Sequence, residues 1–330
     1  MPRIIRWWDK HQISLYLAAI ALGASTGLAV PQLAPDLERS IEPTLILMLF
    51  ATFLGIPLIE VGRAFRDIRF LGTVLITNFT VIPAIAFGLS RFVADDRGLL
   101  LGVLLVLLTP CIDYVIVFTG LAGGSSTRLL AATPLLMLVQ ILLLPVYLFF
   151  FADSEVLGMI EIAPFAEAFL LLIVLPLAAA AIIQFLARRH RVGRRIEETM
   201  AGAMVPLMMA TLAVVIGSQI AAVGAQVFTL ARVVPLYIAF VVIAVLVGKL
   251  AGWAARLDIP DTRAVMFSAT TRNSLVVLPL ALALPEAMDI VSLAVVTQTM
   301  IELIAMVVLV RLWAGDPIRS GTSSGHHPGR

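Results

Sequence analysis

Residues 99–124 read LLLGVLLVLLTPCIDYVIVFTGLAGG. Leu99 to Leu108 carry no polar side chain, and then a proline (Pro110), the chain's one cysteine (Cys111) and a carboxylate (Asp113) follow within six positions. A water-soluble core rarely tolerates that order. A membrane-spanning helix that breaks at its centre does, because Pro110 lacks the N–H that would continue the helix. Irregular backbone at membrane depth is tolerated only where protein or a wet cavity satisfies its polar groups.

The rest of the chain fits that solvent. Of 330 residues, 61% are hydrophobic and 13% charged, and the mean hydropathy is +1.04. Soluble domains run near 45–50% apolar and about 25% charged. We therefore read an all-α polytopic membrane protein. A helix crossing the hydrocarbon needs about 20 mainly apolar residues. Ten such segments can be drawn, at 12–32, 41–60, 70–92, 98–121, 126–151, 163–187, 199–221, 233–254, 262–284 and 289–313.

The cations give these spans a direction, because cytoplasmic loops are enriched in Lys and Arg. With the N-terminus (residues 1–11) inside, 18 of the 23 cations fall on the cytoplasmic side, among them Arg63, Arg66, Arg69, Arg128 and the run ARRHRVGRR at 187–195. Four (Arg39, Arg91, Arg97, Arg232) fall outside, and Arg272 lies within a span. Both termini are thus expected in the cytoplasm and the chain in the plasma (inner) membrane. The basic run reads as a topology signal, so no nucleic-acid partner is expected. The tail 314–330 is rich in Gly, Ser and Pro and reads as disordered. Its His326 and His327 lack carboxylate or thiol neighbours, and one cysteine excludes an intramolecular disulfide.

Ten spans divide into two sets of five, 12–151 and 163–313, and an odd number makes the second set run opposite to the first. Inverted repeats of this kind are a common transporter plan, with the substrate near the midplane where broken helices meet. The fourth span is interrupted at TPCIDY, and the ninth at SATTRNS (268–274). Gln140 in the fifth span and Glu302 in the tenth each follow their interruption by about 30 residues, a spacing compatible with repetition.

Three ionisable groups lie deep within spans: Asp113, Arg272 and Glu302. Each costs about 2.5–3.5 kcal/mol at a helix centre on insertion scales, so each is expected to face a partner or a cavity. Asp113 and Arg272 could pair where spans four and nine cross. Glu302 has no evident fixed partner. A carboxyl group is costly to ionise in an apolar bundle, which suits it to carry a proton, although it could also serve as a helix-packing hydrogen bond. Thr271, Asn273 and Ser274 place hydroxyl and amide groups beside Arg272, and Tyr114 follows the first interruption. Pro110 and Pro279 are expected to help break the two helices. A fixed guanidinium within about 5 Å repels a second cation by several kcal/mol at low dielectric, so the coupling ion is expected to be a proton rather than sodium. Cys111 reads either as a small buried hydrophobe or as a transient soft ligand for a soft metalloid. Asn78 in the third span reads equally as cavity lining or as packing. No hydrolytic or nucleotide-binding signature is present, so neither an enzyme nor a cofactor is expected.

The stretch PCIDYVIVFTGLAGG resembles the fourth-span motif of the arsenical-resistance exporters, and the chain as a whole is similar to the bile acid/sodium symporter superfamily that contains them. The resemblance implies ten spans in two inverted five-helix repeats, with broken spans four and nine crossing in a core domain beside a panel domain. It implies that Cys111 is the thiol that ligates trivalent arsenic, and that Glu302 matches an acid of the exporters' last span. The function so implied is proton-coupled efflux of arsenic or antimony. The alternative is transport of an organic anion held by Arg272. At the second break the exporters' paired asparagines and glutamate are here Arg272, Asn273, Ser274 and Leu275. The symporters' glutamate is here Ser268, and their sodium ligands in span four fall on Val115 and Ile116.

Overall fold

A computed structural model describes residues 7–8, 11–56, 67–112, 114–152, 167, 169–285 and 288–314. The expected N-terminal segment 1–11, the tail 314–330 and Asp113 lie wholly or largely outside these residues. The elements are helices: α1 (Gln12–Ala29), α2 (Ala34–Gly55), α3 (Ile68–Val93), α4 (Arg97–Leu107), α5 (Tyr114–Leu121), α6 (Ser126–Phe151), α7 (Leu170–Ala187), α8 (Arg191–Ala225), α9 (Val233–Ala254), α10 (Ile259–Thr270), α11 (Ser274–Leu282) and α12 (Ile290–Ala314).

Among the described residues six helices, α3, α6, α7, α8, α9 and α12, are long and apolar enough to cross a membrane. The α1–α2 pair, bent by 106° at Val30, would make a seventh if it counts as one span. The segments read as spans four and nine are each two short helices, α4 with α5 and α10 with α11. Side chains such as Ile76, Leu142, Phe149, Ile182 and Leu250 are more than half exposed. In water that belt would drive aggregation, whereas in hydrocarbon it is simply solvated.

Short polar side chains start the helices. Asp67, Asp96 and Asp258 each accept a backbone N–H from the first turn of α3, α4 and α10, at 3.1, 3.0 and 2.8 Å, meeting donors that have no intrahelical acceptor. The far end of α2 is closed from outside. Buried Gln184 of α7 directs its Nε2 at the carbonyls of Phe53, Leu54 and Ile56, at 3.2, 3.0 and 2.5 Å. Helices α1, α2, α7 and α8 pack on one another, while α4, α9, α10, α11 and α12 pack around the two breaks.

Two glycines set how closely those elements approach. A Cβ on Gly102 of α4 would lie 2.8 Å from the Cβ of Ala294 on α12, and one on Gly248 of α9 would lie 2.5 Å from the Cα of Met266 on α10. Small residues of this kind let helix backbones meet in membranes. At one end of the bundle Arg128, at the start of α6, binds both Asp67 (3.0 Å) and Asp261 of α10. This residue, read from the sequence as a topology signal, also ties three helices together.

A local irregularity in α3 shapes the site. Residues Thr77–Val81 form a π-helical turn immediately before Pro83. Pro83 has no N–H to give the carbonyl four residues back, that of Phe79, and the Tyr147 hydroxyl of α6 donates to that carbonyl instead at 2.5 Å. Single π-turns occur often at functional sites, and this one carries Asn78.

Candidate translocation site

The two breaks meet as extended backbone. Pro110 and Arg272 form an antiparallel bridge, with Cys111 N–H donating to the Thr271 carbonyl at 3.1 Å and Asn273 N–H donating to the Thr109 carbonyl at 2.8 Å. The first break follows from Pro110, which also disfavours helical geometry at Thr109. Contrary to the sequence expectation, Pro279 does not make the second break. It lies within α11, whose start is instead capped by Asn273, whose Oδ1 accepts Val276 N–H at 3.3 Å.

The crossing is crowded. Cys111, Thr271, Arg272, Asn273, Ser274 and Glu302 are buried. Nη2 of Arg272 donates towards Asn78 Oδ1, Ser268 O and Ala269 O at 2.9, 2.8 and 2.7 Å, and Nη1 towards Leu107 O at 3.3 Å. The ring of Phe240 lies 5.5 Å from the guanidinium carbon. Asn78 is itself satisfied, its Nδ2 donating to Val74 O at 3.0 Å and Ser268 Oγ at 2.9 Å. The expected Asp113–Arg272 pair involves a residue outside those described.

Glu302 does have fixed partners, which corrects the sequence reading. Its Oε2 accepts from the backbone N–H of Arg272 at 2.8 Å and from Gln298 Nε2 at 2.5 Å, and its Oε1 accepts from the Tyr114 hydroxyl at 2.6 Å. That hydroxyl also lies 3.2 Å from the Arg272 carbonyl. The last helix is therefore joined to both breaks through one carboxyl group.

The sequence reading singled out Cys111, Thr271, Arg272, Asn273, Ser274, Tyr114 and Glu302, and the fold brings them together. Gln140 is not among them: it is buried in α6 with its Oε1 unpartnered among the described residues. Gln298 was missed, although it sits one helical turn before Glu302, the spacing at which helical side chains meet. Four further polar atoms in or beside the second break are buried without a partner among the described residues: Arg272 Nε, Asn273 Nδ2, Ser274 Oγ and Gln298 Oε1. No group of three His, Cys, Asp or Glu among the described residues could hold a metal ion. A cleft of about 370 Å³ lies elsewhere, between α2, α7 and α11, lined by Glu38, Glu42, Glu167 and Pro279 among others.

Apolar helices around two crossed breaks, with polar groups buried at the crossing, describe a multi-pass membrane protein. The sequence model of the Sodium Bile acid symporter family matches residues 42–230, and the chain belongs to that family. The family's members are transporters. The match includes the first break and ends before the second. No curated protein matches the chain.

Proposed function

We propose that the protein is a secondary active transporter that exports trivalent arsenic or antimony in exchange for protons. In this reading ten spans form two inverted five-helix repeats, 12–151 and 163–313. A core containing α4, α5, α10 and α11 moves against a panel of α1, α2, α7 and α8, and both termini face the cytoplasm from the plasma membrane.

The observation that carries the reading is the division of labour at the crossing. The Nη1–Nη2 fork of Arg272, which would clasp an organic acid bidentately, is already engaged by protein oxygens. Cys111 lies in the unwound backbone directly paired with Thr271. A single thiolate binds a soft metalloid, while the unpartnered groups of Asn273 and Ser274 supply donors and acceptors for the hydroxyls of a neutral metalloid acid.

Glu302 supports the proton as coupling ion, because its protonation need not orphan a neighbour. The Tyr114 hydroxyl has a second acceptor within reach in the Arg272 carbonyl. Once it turns there, its oxygen accepts from a protonated Glu302. The unpartnered Gln298 Oε1 offers another acceptor after an amide rotation.

The second reading, an organic anion, is favoured by one observation: Arg272 Nε and Asn273 Nδ2 are buried donors without acceptors among the described residues. One experiment separates the two. Wild type, Cys111→Ser and Arg272→Lys are expressed at equal membrane levels in cells lacking their own arsenite exporter, and arsenite accumulation is followed. Lower accumulation with wild type and Arg272→Lys but not with Cys111→Ser is the expected result. Accumulation unaffected by any of the three overturns the metalloid reading and makes the organic anion the leading account.

A further inference from the structure

Three carbonyls at the crossing have lost their helical donors for one common reason. The donors four residues on from Leu107, Ser268 and Ala269 are the N–H groups of Cys111, Arg272 and Asn273. These are diverted to Thr271 O, Glu302 Oε2 and Thr109 O. The breaks thus leave open the last carbonyl of α4 and two from the last turn of α10. Carbonyls at helix C-termini lack intrahelical partners and form the negative end of the helix dipole. Two half-helices therefore aim their C-terminal ends at one guanidinium, Ser268 O and Ala269 O at Nη2 and Leu107 O at Nη1, and Asn78 adds a fourth oxygen, at Nη2, from the π-turn of α3.

That guanidinium belongs to Arg272, the largest fully buried side chain among the described residues. The fit is that of a cage rather than a fork. Nη2 carries two hydrogens but faces three oxygens, at 2.7, 2.8 and 2.9 Å. Several oxygens converging on one centre is also the arrangement that a spherical cation takes. These three oxygens need move in by only a few tenths of an ångström to reach the ~2.3–2.6 Å of hard cation–oxygen contacts. Half-helix C-terminal ends and unwound carbonyls are the ligands that broken-helix transporters present to a coupling cation.

We infer that Arg272 is a tethered cation: its guanidinium permanently fills a sodium-sized cage formed by oxygens of Asn78, Ser268 and Ala269, with the Leu107 carbonyl at its edge. A charge attached to the backbone can neither load nor leave, so this position stabilises the crossing throughout the cycle without coupling transport to sodium. The inference rests on this geometry and holds whichever substrate is carried. It separates a filled cation site from an ordinary arginine cap, because only the former leaves a sodium site when the side chain is shortened.

The test is the thermal unfolding of the full-length protein in detergent, in sodium chloride and in choline chloride at equal ionic strength. Wild type and Arg272→Lys, whose ammonium keeps the cage charged, are expected to unfold at the same temperature in both salts. Arg272→Ala should unfold earlier in choline and recover in sodium, saturably, by roughly 2–5 °C. Adding Asn78→Leu to Arg272→Ala should abolish that recovery. A sodium-specific shift in wild type overturns the inference, as does a folded, monodisperse Arg272→Ala with equal midpoints in both salts. If Arg272→Ala is recovered folded only when purified in sodium, the inference is supported. If it is recovered in neither salt, the sodium-sized cage is overturned, since sodium should have filled it.

Discussion

Tyr114 and Glu302, 188 positions apart in the chain, meet at 2.6 Å across the junction of the first break with the last helix. A single hydroxyl hydrogen serves two acceptors there, the Glu302 carboxyl and the Arg272 carbonyl, so its orientation depends on the charge of Glu302. If that relay links proton uptake to transport, the two residues should fail differently. Glu302→Gln keeps the shape but holds no exchangeable proton. It should insert normally and abolish transport driven by a pH gradient in proteoliposomes, while substrate exchange without a gradient persists. Tyr114→Phe removes one hydrogen bond to a charged group and should lower stability by about 1.5–3 kcal/mol, with gradient-driven transport slowed rather than lost. Equal gradient-driven transport by wild type and Glu302→Gln would exclude Glu302 as the proton carrier.

Asn78 should prove as sensitive as the residues of the breaks. Its amide oxygen is one of three acceptors facing Arg272 Nη2 and its amide nitrogen serves Ser268, so Asn78→Ala leaves the buried Ser268 hydroxyl without its donor and takes one oxygen from around the guanidinium. A cost of about 1–3 kcal/mol per unpaired group should appear as a lower midpoint of thermal unfolding. Asn78→Gln, with the same chemistry on a longer stem, should restore only part of it. An Asn78→Ala protein as stable as wild type would mean that neither the bond to Ser268 nor the third oxygen at Nη2 contributes to stability.

Gln184 offers a control away from the crossing. Three carbonyls at the end of α2 converge on its Nε2, and Gln184→Leu fills the same space without a donor. Stability should fall by about 1–3 kcal/mol, while the substrate concentration for half-maximal transport stays unchanged. A shift in that concentration without a loss of stability would place Gln184 in the substrate path.

How far the site can be read from the sequence follows from what kind of signal each residue leaves. The breaks are legible because a proline, a thiol and several hydroxyls interrupt long apolar runs, and Glu302 because a carboxyl in such a run is costly. Asn78 and Gln298 are not, since an amide in a transmembrane helix is equally explained by helix packing. What identifies Asn78 is the π-turn before Pro83, a backbone feature that no side chain announces. The role of Pro279 was misjudged because a proline's effect depends on which carbonyl it faces. The second break is made by pairing with residues some 160 positions away, and local sequence does not record that. Among the described residues the structure yields six long apolar helices rather than ten because α4, α5, α10 and α11, which make up the two broken segments, are each too short to span, and α1 and α2 pass only together as a bent pair.

The two ends of the bundle should respond differently to loss of an arginine. At one end Arg232 and Asp95 pair at 2.5 Å with both side chains exposed. Arg232 holds the Asp95 carboxyl below its ordinary range, chiefly through their hydrogen bond, so the pair is intact at neutral pH. Exposed pairs contribute little, and Arg232→Ala should leave the unfolding midpoint unchanged. At the other end half-exposed Arg128 serves two carboxylates, and the Asp261 side chain is only 3% exposed. One oxygen of Asp261 already lacks a partner among the described residues. Arg128→Ala therefore strands a buried carboxylate and unties α3, α6 and α10 together. The loss is reduced from the full cost of breaking a buried pair because Arg128 is half solvated, which leaves about 1–3 kcal/mol. Since an uncompensated Asp261 is the cause, Arg128→Ala combined with Asp261→Asn should be more stable than Arg128→Ala alone. Thermal unfolding of the two single variants and the double variant decides this. A double variant no more stable than Arg128→Ala would mean that the arginine acts through packing of its stem rather than through its charge.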